Sequence, residues 1–341
     1  MYNIFKKHRR WKLICAILSL SLLTVMAGAA VAPALGLIQA YFADTDRSLV
    51  QMIVSMPALF IAGTNLFLFK PLCKRFRART LLIFGLLLYT VFGCLAGLFS
   101  NILMILVCRA LVGIGVGIIM PLSTGLLSFY FTRDKQGPLM GYSSALNMLG
   151  GVVATLIAGG LAMISWRLSF MVYLLGLISI VLCIIWMPND RIYDSSRKAQ
   201  SAGSSGQYAP YILVMFVLSF TFFVYPANFA LECSSSGAIP QGLIASVMAM
   251  MDVFGTLAGS AFVGLANGIG VPYIMTSASA KAGRDAATTV MPLISASLYL
   301  AQFATPLILS ATGHFTDVSS FIIAVFAALL LAAASFTIKE Q

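Results

Sequence analysis

Long apolar runs separated by short polar turns make up most of the chain from residue 13 onward. Each run reaches or exceeds the length of about 20 residues that an α-helix needs to cross the hydrocarbon core of a bilayer. Gly28, Pro33 and Gly36 fall inside the first run and are expected to soften or kink it. The pattern predicts six spans in the first half, at about 13–41, 48–69, 80–99, 102–130, 138–163 and 168–187.

The second half begins after the one long polar stretch, whose Ser, Gly and charge content predicts a flexible cytoplasmic linker at 188–209. A seventh span is predicted at about 210–231, and an eighth begins near Pro240. Two last spans follow at about 286–310 and 318–338. We therefore predict an all-α polytopic membrane protein with a six-helix bundle at 1–187, the linker, and a second bundle of four or five spans at 210–341.

Composition and charge agree with a membrane protein. Hydrophobic residues make up 60% of the chain and charged residues 9%, with a mean hydropathy of +0.98, which a soluble domain of this size does not show. The net charge of +11 is placed mainly beside apolar runs, as the positive-inside rule requires. We therefore expect a multi-pass protein of the cell (plasma or inner) membrane with a cytoplasmic amino terminus, a lipid bilayer around it and no nucleic-acid partner.

The sequence contains no motif for a metal site or for enzyme catalysis. The six cysteines are scattered, and His8 and His314 are isolated, so no metal-ligand spacing arises. The chain has no P-loop, no H-E-x-x-H and no Ser/His/Asp arrangement. We expect no enzyme activity, no cofactor, no metal and no transport driven by ATP.

The chain carries an internal repeat. Val112-Gly113, Pro121, Arg133-Asp134 and Phe170 recur 151 positions later as Val263-Gly264, Pro272, Arg284-Asp285 and Phe321. Each copy contains a Gly-rich apolar run, a proline, a basic-acidic turn and another apolar run. Two related halves of this kind are typical of secondary transporters.

Three stretches resemble the major facilitator superfamily, on the drug:H⁺ antiporter side. The run RALVGIGVG resembles the family's span-4 signature, with matches at Arg109, Gly113, Gly115 and Gly117. The run GGVVATLIAG, residues 150–159, resembles the span-5 motif of drug antiporters. It matches at Gly150 and Gly159 and departs at Ala154, Thr155 and Ala158.

The loop between spans 2 and 3, KPLCKRFRAR, resembles the family's basic signature in that position. Arg75 and Arg79 match, whereas Lys74 stands where the family has an acid, and Lys70 and Arg77 replace glycines. If that acid normally helps to latch the two halves together, this protein latches differently.

The second half looks shorter than the first. Gly63-Thr64 aligns with Gly259-Ser260 at an offset of 196, and Ser55 aligns loosely with Ser246 nearby, at an offset of 191. The offset farther along is 151, so the difference from 196 is 45 residues. Such a gap means that the second half lacks a counterpart of span 3, which would be span 9. The eighth span then continues directly into the counterpart of span 4. Residues 240–280 then form either two spans, for 11 in total, or one long broken element, for 10. Length favours the first alternative and the positive-inside rule the second.

Two charged residues are candidates for proton coupling. Arg109 lies inside an apolar run, where a charge is costly and usually functional, and the resemblance implies that it tunes proton release from a nearby acid. The alternative is a structural arginine that caps helix carbonyls. Asp252 is the carboxylate placed well inside an apolar run, either as a proton carrier or as a hydrogen-bonded helix contact.

Polar, methionine and aromatic residues are candidates for the lining of a substrate cavity, with lipid or helix packing as the alternative for each. Met and aromatic surfaces adapt to varied apolar substrates. These candidates are Met120, Tyr142, Asn147, Phe222, Tyr225, Asn228 and Tyr273.

The predicted function is secondary active transport, with proton-coupled efflux of small lipophilic or drug-like compounds ahead of uptake of a small polar metabolite. The degenerate glycine motif and the scarcity of buried polar groups favour efflux. The partners are then a small-molecule substrate and H⁺, and we expect a monomer. A third alternative, motivated by the apparent 45-residue gap, is an internally deleted membrane protein that does not transport.

Overall fold

The computed structural model describes residues 2–131, 133–189, 208–236, 270, 271, 273–275, 278 and 292–309. Within these ranges the regular structure is helical. The α-helices are α1 Tyr2–Ala29, α2 Leu35–Tyr41, α3 Arg47–Gly63, α4 Phe69–Arg75, α5 Ala78–Leu95, α6 Ile102–Tyr130, α7 Arg133–Ala162, α8 Gly176–Trp186, α9 Ala209–Ser236 and α10 Pro292–Leu309. Short 3₁₀ segments lie at Ala32–Ala34, Ala96–Leu98 and Leu168–Leu175, and a π-helical turn lies at Thr64–Leu68.

Seven of the described helical stretches are long and apolar enough to cross a membrane. Six of them coincide with the six spans predicted in the first half, and the seventh lies within the span predicted at about 286–310. The prediction of an all-α polytopic membrane protein is therefore confirmed. The stretches are Trp11–Tyr41, Arg47–Arg75, Ala78–Leu98, Ile102–Leu127, Gly141–Ala162, Leu168–Trp186 and Pro292–Leu309.

The first span is broken, as its glycines and proline predicted. Helix α1 ends at Ala29, the 3₁₀ turn Ala32–Ala34 holds Pro33 in its first positions, and α2 begins at Leu35. Proline fixes its own φ and has no N–H to donate, so it fits the start of a new helical segment better than the middle of an old one. The break lies in the interior of the bundle, where these residues are buried.

The second span also departs from a regular helix. Asp46 caps its start by accepting a hydrogen bond from the Ser48 N–H at 3.1 Å. Pro57 lies inside α3, and the π turn Thr64–Leu68 separates α3 from α4. A proline inside a helix removes one backbone hydrogen bond, so span 2 offers a carbonyl that another group must satisfy.

Helix α6 lies at the centre of the described bundle. It packs against α3 on one side and α5 on the other, and it also contacts α1. Helix α1 packs along α7, and α5 along α8. Most of the buried apolar side chains of spans 1–6 join one continuous core.

The described parts of the second half pack onto this core and onto each other. Helix α9 covers the predicted seventh span, and its Met215 and Leu218 pack with Ile274 and Ile294. Helix α10 contributes Tyr299 to the main core.

One arginine ties together three chain segments at the end of the bundle opposite the amino terminus. The Arg167 guanidinium donates to the carbonyls of Gly97 and Phe99, at 3.2 and 3.1 Å. It also donates to the Ser100 hydroxyl at 2.9 Å and the Tyr41 hydroxyl at 3.3 Å. Its Cζ lies 4.6 Å from the centroid of the Trp166 ring and 5.4 Å from that of Tyr41.

Several predictions fall on residues outside the described ranges. They are most of the linker at 188–209, residue Asp252, the eighth span, the last span at about 318–338, most of 240–280 with its 10- or 11-span alternatives, and the apparent 45-residue gap.

Candidate functional site: the buried Arg109 cluster

Arg109 is the largest side chain that the described structure buries completely. It lies near the start of α6, and its neighbours Leu106, Cys108 and Ala110 are also buried. A guanidinium stays charged at any physiological pH and has five N–H donors. A site enclosed among apolar helices must therefore provide it with acceptors.

Three acceptors surround the guanidinium. Its Nε donates to the backbone carbonyl of Ile53 at 2.7 Å. One terminal nitrogen, Nη1, donates to the Tyr173 hydroxyl, and the other, Nη2, to the carbonyl of Ala27. The Tyr173 hydroxyl in turn donates to the same Ala27 carbonyl at 2.7 Å. Arg109 thus connects span 4 to spans 1, 2 and 6.

The Ile53 carbonyl is available because of Pro57. In a regular α-helix the carbonyl of residue i accepts from the N–H of residue i+4, and the residue four after Ile53 is Pro57, which has no N–H. The Nε of Arg109 takes the place of that missing donor.

The Ala27 carbonyl is available because span 1 breaks. Val31 is the residue whose N–H would bond to Ala27 in a continuous helix, but it donates instead to Gly28 at 3.3 Å. The carbonyls at the end of a helix need partners from elsewhere, and Arg109 and Tyr173 supply them here. The guanidinium therefore occupies the place where two helix irregularities leave negative dipole ends.

Tyr173 is held in position by close packing. Its ring meets the ring of Tyr89 edge-on, with centroids 5.1 Å apart, and the Arg109 Cζ lies 5.6 Å from its centroid. Gly93 makes room for it, because a Cβ at that position would come within 2.3 Å of the Tyr173 Cγ. Sequence reasoning missed Tyr173 and Tyr89. Two signals in the sequence could have found this cluster. Tyr89 and Tyr173 are hydroxyl-bearing residues inside apolar runs, and Pro57, four residues after Ile53, leaves the Ile53 carbonyl without its helical donor.

Two further buried hydroxyls lie in this region, at Tyr89 and Thr90 on α5. Neither oxygen has a hydrogen-bond partner among the described residues. Thr90 faces α8, because a Cβ on Gly176 would lie 2.2 Å from its Oγ1. The interior beside Arg109 therefore has hydrogen-bonding capacity beyond what the guanidinium uses.

The glycines of the span-4 signature set how closely α6 approaches its neighbours. A Cβ on Gly113 would come within 2.4 Å of the Pro57 carbonyl, and one on Gly117 within 2.7 Å of the Thr64 Cβ. Gly115 faces the other way, where its Cβ would lie 2.6 Å from the carbonyl of Gly85 on α5. Arg109, Gly113 and Gly117 thus all lie against span 2.

The glycines of the span-5 run lie on α7. A Cβ on Gly150 would come within 2.1 Å of the Leu22 carbonyl on α1, and Gly159 is buried. A polar seam follows the same contact between α1 and α7. The hydroxyls of Ser21 and Ser143 lie 2.6 Å apart, and the Thr24 hydroxyl donates to the Asn147 Oδ1.

The cavity candidates occupy different surroundings. Met120 and Asn147 are half-buried, and the Sδ of Met120 accepts from the Tyr299 hydroxyl of α10 at 3.0 Å. Tyr142 is 63% exposed and Tyr273 70%. Phe222 is half-buried against Phe223. Tyr225 and Asn228 belong to α9, but their side chains, like residue Asp252, lie outside what the structure describes.

Contact between the halves reaches the broken part of span 1. A Cβ on Gly28, next to Ala27, would lie 3.3 Å from the Gln302 Nε2 of α10. Tyr299, one turn earlier on α10, contacts Met120. The second half therefore touches the chain beside the carbonyl that Arg109 holds.

Comparison with known proteins identifies the family. Residues 15–256 match the sequence model of the Major Facilitator Superfamily. The chain belongs to this superfamily. Its members are transporters and not enzymes, which agrees with the fold and with the expectation of no enzyme activity.

Several curated transporters are similar to this superfamily member. Multidrug resistance protein 1 of Bacillus subtilis is 27% identical over 193 residues, which cover 54% of this chain and 49% of the relative. Multidrug efflux pump SdrM of Staphylococcus aureus is 26% identical over 151 residues, covering 43% and 34%. Vacuolar basic amino acid transporter 2 of Saccharomyces cerevisiae is 32% identical over 144 residues, covering 40% and 30%. The chain thus spans less than half the length of these relatives.

Solved structures agree on the fold. A bacterial homologue of the human lysosomal transporter Spinster, in an inward-facing and occupied conformation, superposes with a TM-score of 0.60 at 15% identity. The match covers 94% of this chain and 78% of that one.

Proposed function

We propose that the chain is a proton-coupled secondary transporter that exports small lipophilic or drug-like compounds. The observation that carries the proposal is the fully buried Arg109, held by the carbonyls of Ile53 and Ala27 and by the Tyr173 hydroxyl. No carboxylate bonds to it among the side chains that the structure describes. The dipoles of two carbonyls and one hydroxyl balance the charge of the guanidinium less completely than a carboxylate would. The remaining positive field of Arg109 therefore favours proton release from an acid that comes near it.

The same contacts give Arg109 a means of responding to conformation. It holds span 1 where that span breaks, and Gln302 of the second half lies beside Gly28 at the same break. A movement of the second half against span 1 would shift the Ala27 carbonyl and so the environment of the guanidinium. Asp252 is the proposed proton carrier, by its place in an apolar run of the sequence.

The efflux direction and the substrate class rest on similarity. Two relatives are named as a multidrug resistance protein and a multidrug efflux pump, at 27% and 26% identity. The half-buried Met120 and Phe222 give the described interior soft, apolar contacts that suit varied lipophilic shapes. We propose the cell membrane as the location, with the amino terminus in the cytoplasm, and a monomer as the working unit.

The test is efflux of a fluorescent lipophilic cation from cells that make the chain, with and without a protonophore. We expect efflux from the wild type to stop when the proton gradient collapses. The variants Arg109→Gln and Asp252→Asn should lose it, while Lys135→Gln, at an exposed position, should keep it. The amount of each variant in the membrane is measured in parallel. Equal efflux from wild type, Arg109→Gln and empty cells would rule the proposal out.

A second candidate is transport of a small polar metabolite. The buried polar seam of Ser21, Thr24, Ser143 and Asn147 between α1 and α7 favours it, as does the similarity to a protein named as a basic amino acid transporter. Labelled lysine and arginine, offered to the same cells, separate the candidates. Gradient-driven movement of an amino acid without movement of the lipophilic cation would support the second candidate, and movement of neither would support a chain that does not transport.

A further inference from the structure

A cationic turn joins spans 2 and 3. It carries Lys70, Lys74, Arg75, Arg77 and Arg79 within ten positions. The first four of these side chains are exposed, and Arg79 is half-buried. The chain has no Asp or Glu between Asp46 and Asp134, so neither flanking span provides a carboxylate to this turn.

The turn is held in place by the fold. Helix α4 ends at Arg75 and α5 begins at Ala78, which leaves two residues between them. Cys73 and Ala78 are buried on either side, and the Arg79 guanidinium donates to the Ile184 carbonyl near the end of α8. The backbone that carries the cations is therefore held by the fold, and an anion that binds them need not order a flexible tail.

The length of span 2 and the charges at its end put this turn at the expected depth of the lipid headgroups. The stretch Arg47–Arg75 has 29 residues, which at about 1.5 Å per residue is about 43 Å, against a hydrocarbon core of about 30 Å. The surplus places its basic last turns outside the core. Trp11, 60% exposed, and the exposed Lys12 begin span 1 at the same end of the bundle, where tryptophan marks the membrane interface.

Apolar side chains accompany the cations. Phe76, between Arg75 and Arg77, is 42% exposed, and Phe67 and Leu68 are 74% and 45% exposed. A surface that offers cations to the headgroup level and aromatic rings to the acyl chains fits a lipid better than a soluble anion.

We propose that this turn, residues 70–79, is a binding surface for acidic phospholipids, with the headgroup phosphate held by Lys70, Arg75 and Arg77. Among the described side chains, none of these three has a carboxylate partner. The inference does not depend on the direction or substrate of transport, because it concerns a surface away from Arg109.

The test uses the full chain in detergent, titrated with phosphatidylglycerol, with phosphatidylcholine and with inorganic phosphate alone. Native mass spectrometry counts the retained lipids, and the apparent melting temperature reports stabilisation. We expect phosphatidylglycerol to be retained and to raise the melting temperature, and both effects to weaken with added salt. Retention of both lipids alike, or an equal shift from inorganic phosphate alone, would overturn the proposal.

Variants distinguish specific binding at this turn from general attraction of acidic lipids to a basic protein. The triple variant Lys70→Gln, Arg75→Gln and Arg77→Gln should lose retention of phosphatidylglycerol by about tenfold or more, whereas Arg75→Lys with Arg77→Lys should keep most of it. Lys135→Gln, an exposed basic position outside the turn, is the matched control. The proposal fails if the triple variant and Lys135→Gln retain phosphatidylglycerol equally, or if the triple variant loses stability to the same extent without lipid.

Discussion

Arg109 and Tyr173 donate hydrogen bonds to the same acceptor, the carbonyl oxygen of Ala27. Arg109 also donates to the Tyr173 hydroxyl, so the three groups form a closed set that joins spans 1, 4 and 6. Its shared acceptor, Ala27, is two residues before the end of α1. It fixes one side of the break in the first span, and the predictions below test what each member contributes.

Tyr173→Phe is expected to destabilise the protein by about 1–3 kcal/mol, because it removes one donor from Ala27 and one acceptor from a buried charge. Tyr89→Phe is the matched control. Its hydroxyl has no partner within the described structure, so its loss should be neutral or mildly stabilising. Apparent melting temperatures in detergent measure both. A larger loss from Tyr89→Phe than from Tyr173→Phe would contradict the hydrogen-bond assignment.

Pro57 and Arg109 are expected to be energetically coupled through Ile53. Pro57→Ala returns an N–H to the position from which a helix would bond the Ile53 carbonyl, which then competes with the Arg109 Nε. Arg109→Lys should therefore destabilise the Pro57→Ala background less than the wild type, by about 0.5–3 kcal/mol. A double-mutant cycle on unfolding free energies measures this difference. Equal losses in the two backgrounds would show that the two residues act independently.

Gly113→Ala is expected to push α6 away from span 2, because its Cβ would lie 2.4 Å from the backbone carbonyl of Pro57. Overpacking of this kind typically costs about 1–3 kcal/mol. Gly125→Ala on the same helix meets nothing within 4 Å in the described part of the chain and should stabilise by about 0.5–1 kcal/mol, because it lowers the backbone entropy of the unfolded chain. Thermal stability of the two variants should move in opposite directions, and a shared direction would argue against close packing at Gly113.

Gly150→Ala is expected to separate α7 from α1 in the same way, since its Cβ would come within 2.1 Å of the Leu22 carbonyl. Gly160→Ala, ten residues farther along α7, meets nothing within 4 Å among the described residues and is the control. Because the seam of Ser21 and Ser143 follows this contact, Gly150→Ala should also reduce transport while Gly160→Ala leaves it intact. Unchanged stability and transport in Gly150→Ala would mean that the two helices lie farther apart.

Arg167→Lys is expected to lower the melting temperature even though it keeps the charge. An ammonium group lacks the planar fork that reaches two carbonyls and two hydroxyls and stacks on Trp166. Arg77→Lys, at an exposed site, should change stability by less than about 0.5 kcal/mol. Indistinguishable melting curves for the two variants would show that Arg167 does not hold the three segments together.

The positions of the first six spans, the break in the first, and the burial of Arg109 were all predictable from sequence. Each depends on local composition: apolar runs long enough to cross a bilayer, glycines and a proline inside one of them, and a charge that is costly to expose to the hydrocarbon core of the bilayer. The helices Trp11–Tyr41 and Ile102–Leu127 begin or end within a few residues of the predicted bounds. Gly113 and Gly117 follow Arg109 by four and eight positions, a spacing that places all three on roughly one helix face, and all three lie against span 2.

The partners of Arg109 were decided by the tertiary structure. Ile53, Tyr173 and Ala27 lie 56, 64 and 82 positions away along the chain, and helix periodicity says which face a residue occupies but not which helix it meets. From the sequence, Arg109 is either a structural arginine that caps helix carbonyls or an arginine that takes part in proton coupling. Neither alternative says which carbonyls it bonds to. A buried guanidinium takes whichever acceptors the surrounding backbone leaves free, and only the packing of spans 1, 2 and 6 around α6 brings those acceptors to one place.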